Sequence, residues 1–125
     1  MFSPTRTLIA GAALVAAGIP AALAHHGWSW ASTDDFVLTG SIVEIYLGNP
    51  HAALKVMADG TVWTVELATP ARTAAAGFVE GVAAVGDEVT AHGHRALDPE
   101  DMRMKAERIT VRGVHYDVYP NDLPV

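Results

Sequence analysis

The 125-residue chain contains no cysteine. That removes disulfides, thiolate metal sites, thiol nucleophiles and the cysteine through which a lipid anchor would be attached. Basic residues are scarce too, eight Lys and Arg against fourteen Asp and Glu, for a formal net charge of −6. Nucleic-acid binders carry a basic stripe along the contact face, and none can be assembled from this set. A cluster of basic residues to hold an anionic membrane surface is also missing. No apolar run reaches the roughly 20 residues that span a bilayer. A Gly-x-Ser-x-Gly elbow, a glycine-rich phosphate loop and a His-Glu-x-x-His pair are all absent, so no enzyme class is indicated and the expectation is a protein without catalytic activity.

What is present begins with an unusual N-terminus. Met1–Thr7 is polar with one positive charge, Arg6; Leu8–Ile19 is built from Leu, Ile, Ala, Val and Gly; Pro20 interrupts, and Ala22-Leu23-Ala24 follows. A charged start, an apolar stretch and small residues at the A-x-A positions are the three parts of a secretory signal. The expectation is Sec-type export to the periplasm or exterior, with cleavage between Ala24 and His25 and no membrane insertion afterwards. Removing residues 1–24 leaves 101 residues, a usual size for one domain, in which seven basic residues face fourteen acidic ones.

The remainder reads as short strands. Residues 37–46 are β-branched and roughly alternating, with Gly40 as an expected bulge or bend. Asn49-Pro50 marks a turn. Residues 52–58 and 61–67 flank Asp59-Gly60, a two-residue signal for a type I′ hairpin. Thr69 as a cap, Pro70 at the first position, Ala71–Ala76 and a terminating Gly77 predict a short helix. Residues 78–85 are ambiguous between loop and a further turn of helix. Residues 88–94 and 104–112 complete a set of five strands, and the segment from Gly113, with Pro120 and Pro124, reads as a tail over the surface. Three strands, a helix and two strands is the order of an OB-type barrel. The expected fold is therefore all-β: an N-terminal arm over 25–36, then an OB-like barrel domain over 37–125, with a small open sandwich as the competing arrangement.

All six histidines lie beyond residue 24. Cleavage before His25 would give that residue a free α-amine as well as its ring, and amine and Nδ1 of one residue can close a chelate on one metal ion. A third nitrogen from another histidine would complete a histidine brace. Tetragonal all-nitrogen coordination suits Cu(II), whereas Zn(II) would take the same ligands in a tetrahedral set. His51 follows the Asn49-Pro50 turn. His92 and His94 are two apart on one strand and so share a face. Trp28 and Trp30 are placed to fold the arm back onto the barrel, Trp63 is expected in the core, and Glu66 on the opposite face from it. Met102 and Met104 offer thioethers that suit Cu(I), though methionines at such positions more often fill gaps.

These residues fall into an ordered series. Ala24-His25-His26-Gly27-Trp28, Leu38-Thr39-Gly40, Asn49-Pro50-His51-Ala52, Trp63 with Glu66, Thr69-Pro70, Gly86-Asp87 and Gly93-His94 resemble an exported bacterial family catalogued as domain of unknown function 6152. Its members typically read A-H-H-S-x, L-T-G-x-V, N-P-H-A, W-x-x-E, S-P, P-G-D-x-V and G-H-P-A. The chain departs from that pattern at Gly27, at Ala71-Arg72, at Val85 and at Arg95. The resemblance implies a periplasmic OB-like domain, carries the family's histidines onto His25, His26, His51 and His94, leaves His92 outside the pattern, and implies no activity. The leading expectation is a periplasmic metal-binding protein, for copper before zinc, with those four histidines as ligands. The alternative is a metal-free module that binds a small ligand or a partner protein on the barrel face.

Overall fold

A computed structural model describes residues 28–122. Six strands form its one sheet: β1 (Phe36–Tyr46), β2 (Ala53–Ala58), β3 (Thr61–Glu66), β4 (Glu88–Arg95), β5 (Arg103–Val111) and β6 (Val114–Asp117). A single α-helix, α1 (Pro70–Ala75), separates β3 from β4, and a 3-10 turn covers Pro120–Asp122. The sheet order is β3-β2-β1-β4-β5-β6, and a parallel pairing of β3 with β5 closes the first five strands into a barrel. This is the expected five-stranded OB-like barrel with its helix between the third and fourth strands.

Closure requires β1 to serve two neighbours. Its second half pairs with β2 and its first half with β4, and Ser41 is opposite both Met57 and Glu88. The turning point is crowded. A Cβ on Gly40 would strike the Met57 carbonyl oxygen, so Gly40 is a site of close backbone approach rather than the expected bulge. The register shift of β1 falls between Ile42 and Glu44, where Val43 is left unpaired and the strand bends. A second shift lies at His92/Gly93 against β5, where Gly93 opposes Ala106 and His92 opposes Arg108. Glu107 is the extra residue there, and Ala106 and Glu107 are consecutively buried.

The core follows from alternation. Leu38, Ile42, Leu54, Val56, Val65, Val89, Ala91, Met104, Ile109 and Val111 point inward, joined by Phe78 from the segment after α1. Each Val, Leu, Ile, Phe or Met among them contributes about 1.5–3 kcal/mol on burial. Trp63 is in the core as expected, 8% exposed, with Phe36 against it at 5.2 Å. Met104 is fully buried and fills space. Thr69 caps α1 by accepting from Arg72 N–H at 3.4 Å, and Gly77 takes φ 95° just past the helix. Residues 78–86 continue as turns.

The segment beyond Gly113 differs from expectation. Arg112 and Gly113 have φ of 51° and 77°, the two positive values of a type I′ turn, and β6 folds back on β5 with Thr110 opposite His115. A tail over the surface is thus replaced by a sixth strand and the 3-10 turn. Arg108 locks the hairpin with a two-pronged contact to Asp117, at 2.6 and 3.1 Å.

Gly93 gives the sharpest test of this geometry, since an added Cβ would run into the Lys105 carbonyl oxygen on rigid backbone. Gly93→Ala is expected to lower unfolding free energy by about 1–3 kcal/mol or more, read by denaturant titration. Unchanged stability would contradict the close crossing of β4 and β5.

Candidate functional site

The arm ahead of β1 is stitched to the barrel by its backbone. Ser32 N–H donates to the Arg95 carbonyl at 2.8 Å, Leu97 N–H donates to the Trp30 carbonyl at 2.8 Å, and Ala31 bridges Ala96. Side chains complete the attachment. Trp30 lies beneath the Arg103 guanidinium, 3.7 Å from its carbon to the ring centroid. Arg103 also contacts Glu66 at 3.4 Å and Asp101 at 3.0 Å. The β3–β5 pairing brings Glu66 to this place, because Thr64 is in register with Arg103 and Glu66 with Lys105.

Trp28 is the centre of an aromatic group. Its ring centroid is 5.5 Å from Trp30, 5.6 Å from the His51 imidazole and 6.0 Å from Tyr119, which meets it edge-on. Below this group lies the Lys105 ammonium, 5.1 Å from the Trp28 ring and 4.8 Å from the Tyr119 ring. Its Nζ is 3.5 Å from an Asp122 oxygen and 3.8 Å from a Glu107 oxygen, and its side chain is only 11% exposed. Arg72 of α1 covers Tyr119 at 5.2 Å. Cation–π contacts of this kind contribute about 0.5–2 kcal/mol each, more when desolvated. Burial pushes the Tyr119 hydroxyl above the ordinary phenol range, with the Arg72 charge opposing it.

His51 reaches this cluster because its neighbours are pinned. Ala52 N–H donates to the Ala68 carbonyl at 2.9 Å and Leu67 N–H donates to the Ala52 carbonyl at 2.8 Å. The loop entering β2, which carries the cis Asn49–Pro50 bond, is thereby fixed beside the end of β3 and the start of α1. Among the described residues, ring-nitrogen hydrogen bonds are made by His94 and His115 and not by His51.

His94 is differently employed. Its Nδ1 is 2.9 Å from the Asp34 carbonyl oxygen and its Nε2 is 3.1 Å from Glu107 Oε2. A carbonyl oxygen only accepts, so Nδ1 carries a proton and donates it. One further proton must then lie between Nε2 and the carboxyl group, on one side or the other. Burial pushes the Glu107 carboxyl above its ordinary value, while His94 and Lys105 pull it back. Glu107 keeps the phase of Arg103 and Lys105, so its carboxyl falls beside Lys105 and the His94 opposite it, and the bulge shifts the phase of β5 only from Arg108 onward. With both nitrogens engaged, His94 ties the arm to the barrel, and coordinating a metal would require it to release Asp34 or Glu107.

The expected ligands therefore separate into groups. His51 is in the aromatic cluster, His94 is linked to it through Glu107, Lys105 and Trp28, and His25 and His26 lie outside the described residues. His92 opposes Val37 and Arg108 on the outer face. Among the described residues, no group of three or more His, Asp or Glu side chains could hold a metal ion.

The segments in this cluster are those of the ordered motif series: Trp28, the loop to His51, Glu66, Thr69-Pro70 and His94. The chain belongs to the family of unknown function DUF6152. The family's sequence profile matches residues 12–105, which takes in the arm, β1 to β4 and the start of β5. No curated protein matches the chain. Among solved structures it is similar to the ZRD-deleted mutant of TiaS in complex with agmatine, with a TM-score of 0.50 and 16% sequence identity. That match covers 67% of this chain and 26% of the other, so the chain spans about a quarter of that protein's length and the likeness speaks for the barrel fold. The members' G-H motif, here Gly93-His94, thus combines the crossing glycine with the histidine that holds the arm.

Sequence reading missed Lys105, Glu107, Tyr119 and Arg72. Glu107 carries a pH signature. Its folded-state value is raised, so the folded protein retains a proton that the unfolded chain has already lost as pH rises through the ordinary glutamate range. Its contribution to stability is present below that range and is lost as pH rises through the raised value. Glu107→Gln keeps the neutral shape, so its melting temperature relative to wild type is expected to increase from pH 4.5 to pH 8. A difference independent of pH would contradict the buried carboxyl.

Proposed function

We propose that residues 1–24 direct export, that their removal exposes the α-amine of His25, and that the mature periplasmic protein binds Cu(II) at this new N-terminus. The His25 amine and ring Nδ1 form the chelate, His51 supplies a third nitrogen, and His26 is a fourth ligand or an outer neighbour. The observation that carries this reading is the packing of Trp28 against the His51 ring at 5.6 Å. Two residues, His26 and Gly27, separate His25 from Trp28, and the three steps between them reach at most about 10 Å. That length is enough for the amine to reach His51, whose ring nitrogens are not taken up by described neighbours. His94, the fourth histidine of the series, supports the site by holding the arm instead of entering the coordination sphere. The role proposed for the site is handling or delivery of the ion.

Every basic side chain of the described barrel is engaged internally. Arg72, Arg95, Arg103 and Lys105 lie over aromatic rings, Arg108 and Arg112 pair with Asp117 and Asp87, and Lys55 donates to Thr64. This supports a cation rather than a polyanion as the ligand. The second reading, a metal-free module for a small ligand or partner protein, draws on the outer face. There Met57 pairs with Val62 across β2 and β3, and both are exposed, as are Val37 and Val43.

The deciding comparison is Cu(II) titration of protein beginning at His25, of the same protein with one alanine added before His25, and of His51→Ala. The extension is expected to weaken binding at least about tenfold and His51→Ala to weaken it as well. Because amine and imidazole nitrogens coordinate only after losing their protons, affinity is expected to fall as pH drops through about 6–7. Equal affinity for the first two proteins would remove the chelate and leave the metal-free module.

A further inference from the structure

The segment that follows α1 encloses a cavity of about 250 Å³ against the end of β1. Ile45 and Leu47 line it on the β1 side, Phe78, Val79 and Ala83 on the other, and Glu80 stands at the rim beside Gly81. Each wall is held from outside the cavity. Phe78, 2% exposed, meets the Tyr116 ring edge-on at 5.3 Å, and its N–H donates to the Thr73 carbonyl at 3.2 Å. Val82 N–H donates to the Val79 carbonyl at 3.2 Å, closing a turn whose central residues are Glu80 and Gly81, with Gly81 at φ 96°. Arg112 grips the same loop, donating to the Val82 carbonyl at 2.8 Å and to Asp87 at 2.6 Å, while Asp87 accepts from Ala84 N–H at 2.9 Å. The cavity is therefore built in advance, and a ligand entering it has little loop to order.

Its chemistry is an apolar floor with one charge at the mouth. Among the described residues, the ion pairs use the carboxylates of Glu66, Asp87, Asp101, Glu107, Asp117 and Asp122 and leave that of Glu80 unpaired. Glu80 is also the one ionisable side chain in the lining. An exposed carboxylate there favours a positive head group, and the hydrocarbon below it favours an apolar body. The lining holds no His or Met, so a transition metal is not what it suits. Pockets for drug-sized molecules have about 300–1,000 Å³, so the ligand is smaller than these. We propose that the cavity binds a small organic cation, an amine on a short aliphatic or aromatic body. Its ammonium meets Glu80 while the body rests on Phe78, Ile45 and Leu47. The site shares no residue with the metal site proposed above, nor with the outer-face patch at Met57 and Val62, and does not depend on either.

Hexylamine, 1-hexanol and hexanoate share one hydrocarbon body and differ in the charge of the head group. Each is titrated into the protein, with the amide NMR signals of residues 45–47 and 78–83 as the readout. Hexylamine is expected to shift these signals saturably with a Kd of about 0.1–10 mM, the range open to so small a ligand. It is expected to bind about three- to tenfold more tightly than hexanoate, the scale of one exposed ion pair gained against one repelled. Glu80→Gln is expected to bring the two near equality and Glu80→Lys to reverse them, with 1-hexanol unchanged in both. Glu100→Gln makes the same change of net charge in the exposed loop between β4 and β5 and is expected to leave the preference intact. Ala83→Leu fills the cavity and is expected to weaken all three probes about tenfold. Should Ala83→Leu fail to fold, the Glu80 variants, which alter an exposed side chain, still decide. Equal binding of hexylamine and hexanoate to wild type, or a preference untouched by Glu80→Lys, would overturn the cation site. Signals in these residues that do not saturate with any of the three probes would overturn the cavity as a ligand site.

Discussion

One largely covered ammonium, that of Lys105, organises the region where this molecule differs from a bare barrel. Taking a lysine charge out of water is costly unless it is paired, and here the compensation comes from two carboxylates and two ring faces. Three of the four partners, Trp28, Tyr119 and Asp122, belong to segments that the barrel itself does not need. The constraint therefore runs outward: satisfying one cation fixes the arm, the segment after β6 and the 3-10 turn together. Glu107 extends the same network to His94, and His94 extends it to the Asp34 backbone.

The barrel beneath depends on two crowded crossings. Gly40 lets β1 pass close to β2, and Gly93 lets β4 pass close to β5. The residue that the bulge inserts opposite Gly93, Glu107, sets its carboxyl against His94 and Lys105. A single irregularity thus serves both closure and the polar network. The Gly-His pair of the motif series joins these roles in adjacent residues, one giving room to the backbone and the next receiving the carboxyl that the bulge presents.

Much of the fold was legible because local signals agreed with global needs. Asp59-Gly60, Thr69-Pro70 and the alternation of β-branched residues each placed an element within a residue or two of its observed bounds. Strand β6 escaped because its turn places a non-glycine residue, Arg112, at positive φ, which no propensity rule favours. Gly40 was read as a bend because sequence shows a missing side chain without showing the Met57 carbonyl that requires it. Among site residues, the aromatic arm and its return to the barrel were readable from Trp28 and Trp30. Lys105 and Glu107 were not, because they look like ordinary alternating charges of a strand. Their partners, Trp28, Tyr119, Asp122 and His94, come from other segments of the chain. His94 was readable as important but not in its role, which is set by the carbonyl and carboxyl on either side of its ring.

The central claim is that a docked arm brings the new N-terminus to His51. It can be tested directly by following the imidazole nitrogen signals of isotope-labelled protein beginning at His25 while Cu(II) is added below one equivalent. Paramagnetic broadening acts over short range, so the account predicts early loss of the His25, His26 and His51 signals while those of His92 and His115 stay sharp. A His51 signal that persists as sharp as those of His92 and His115 would contradict it.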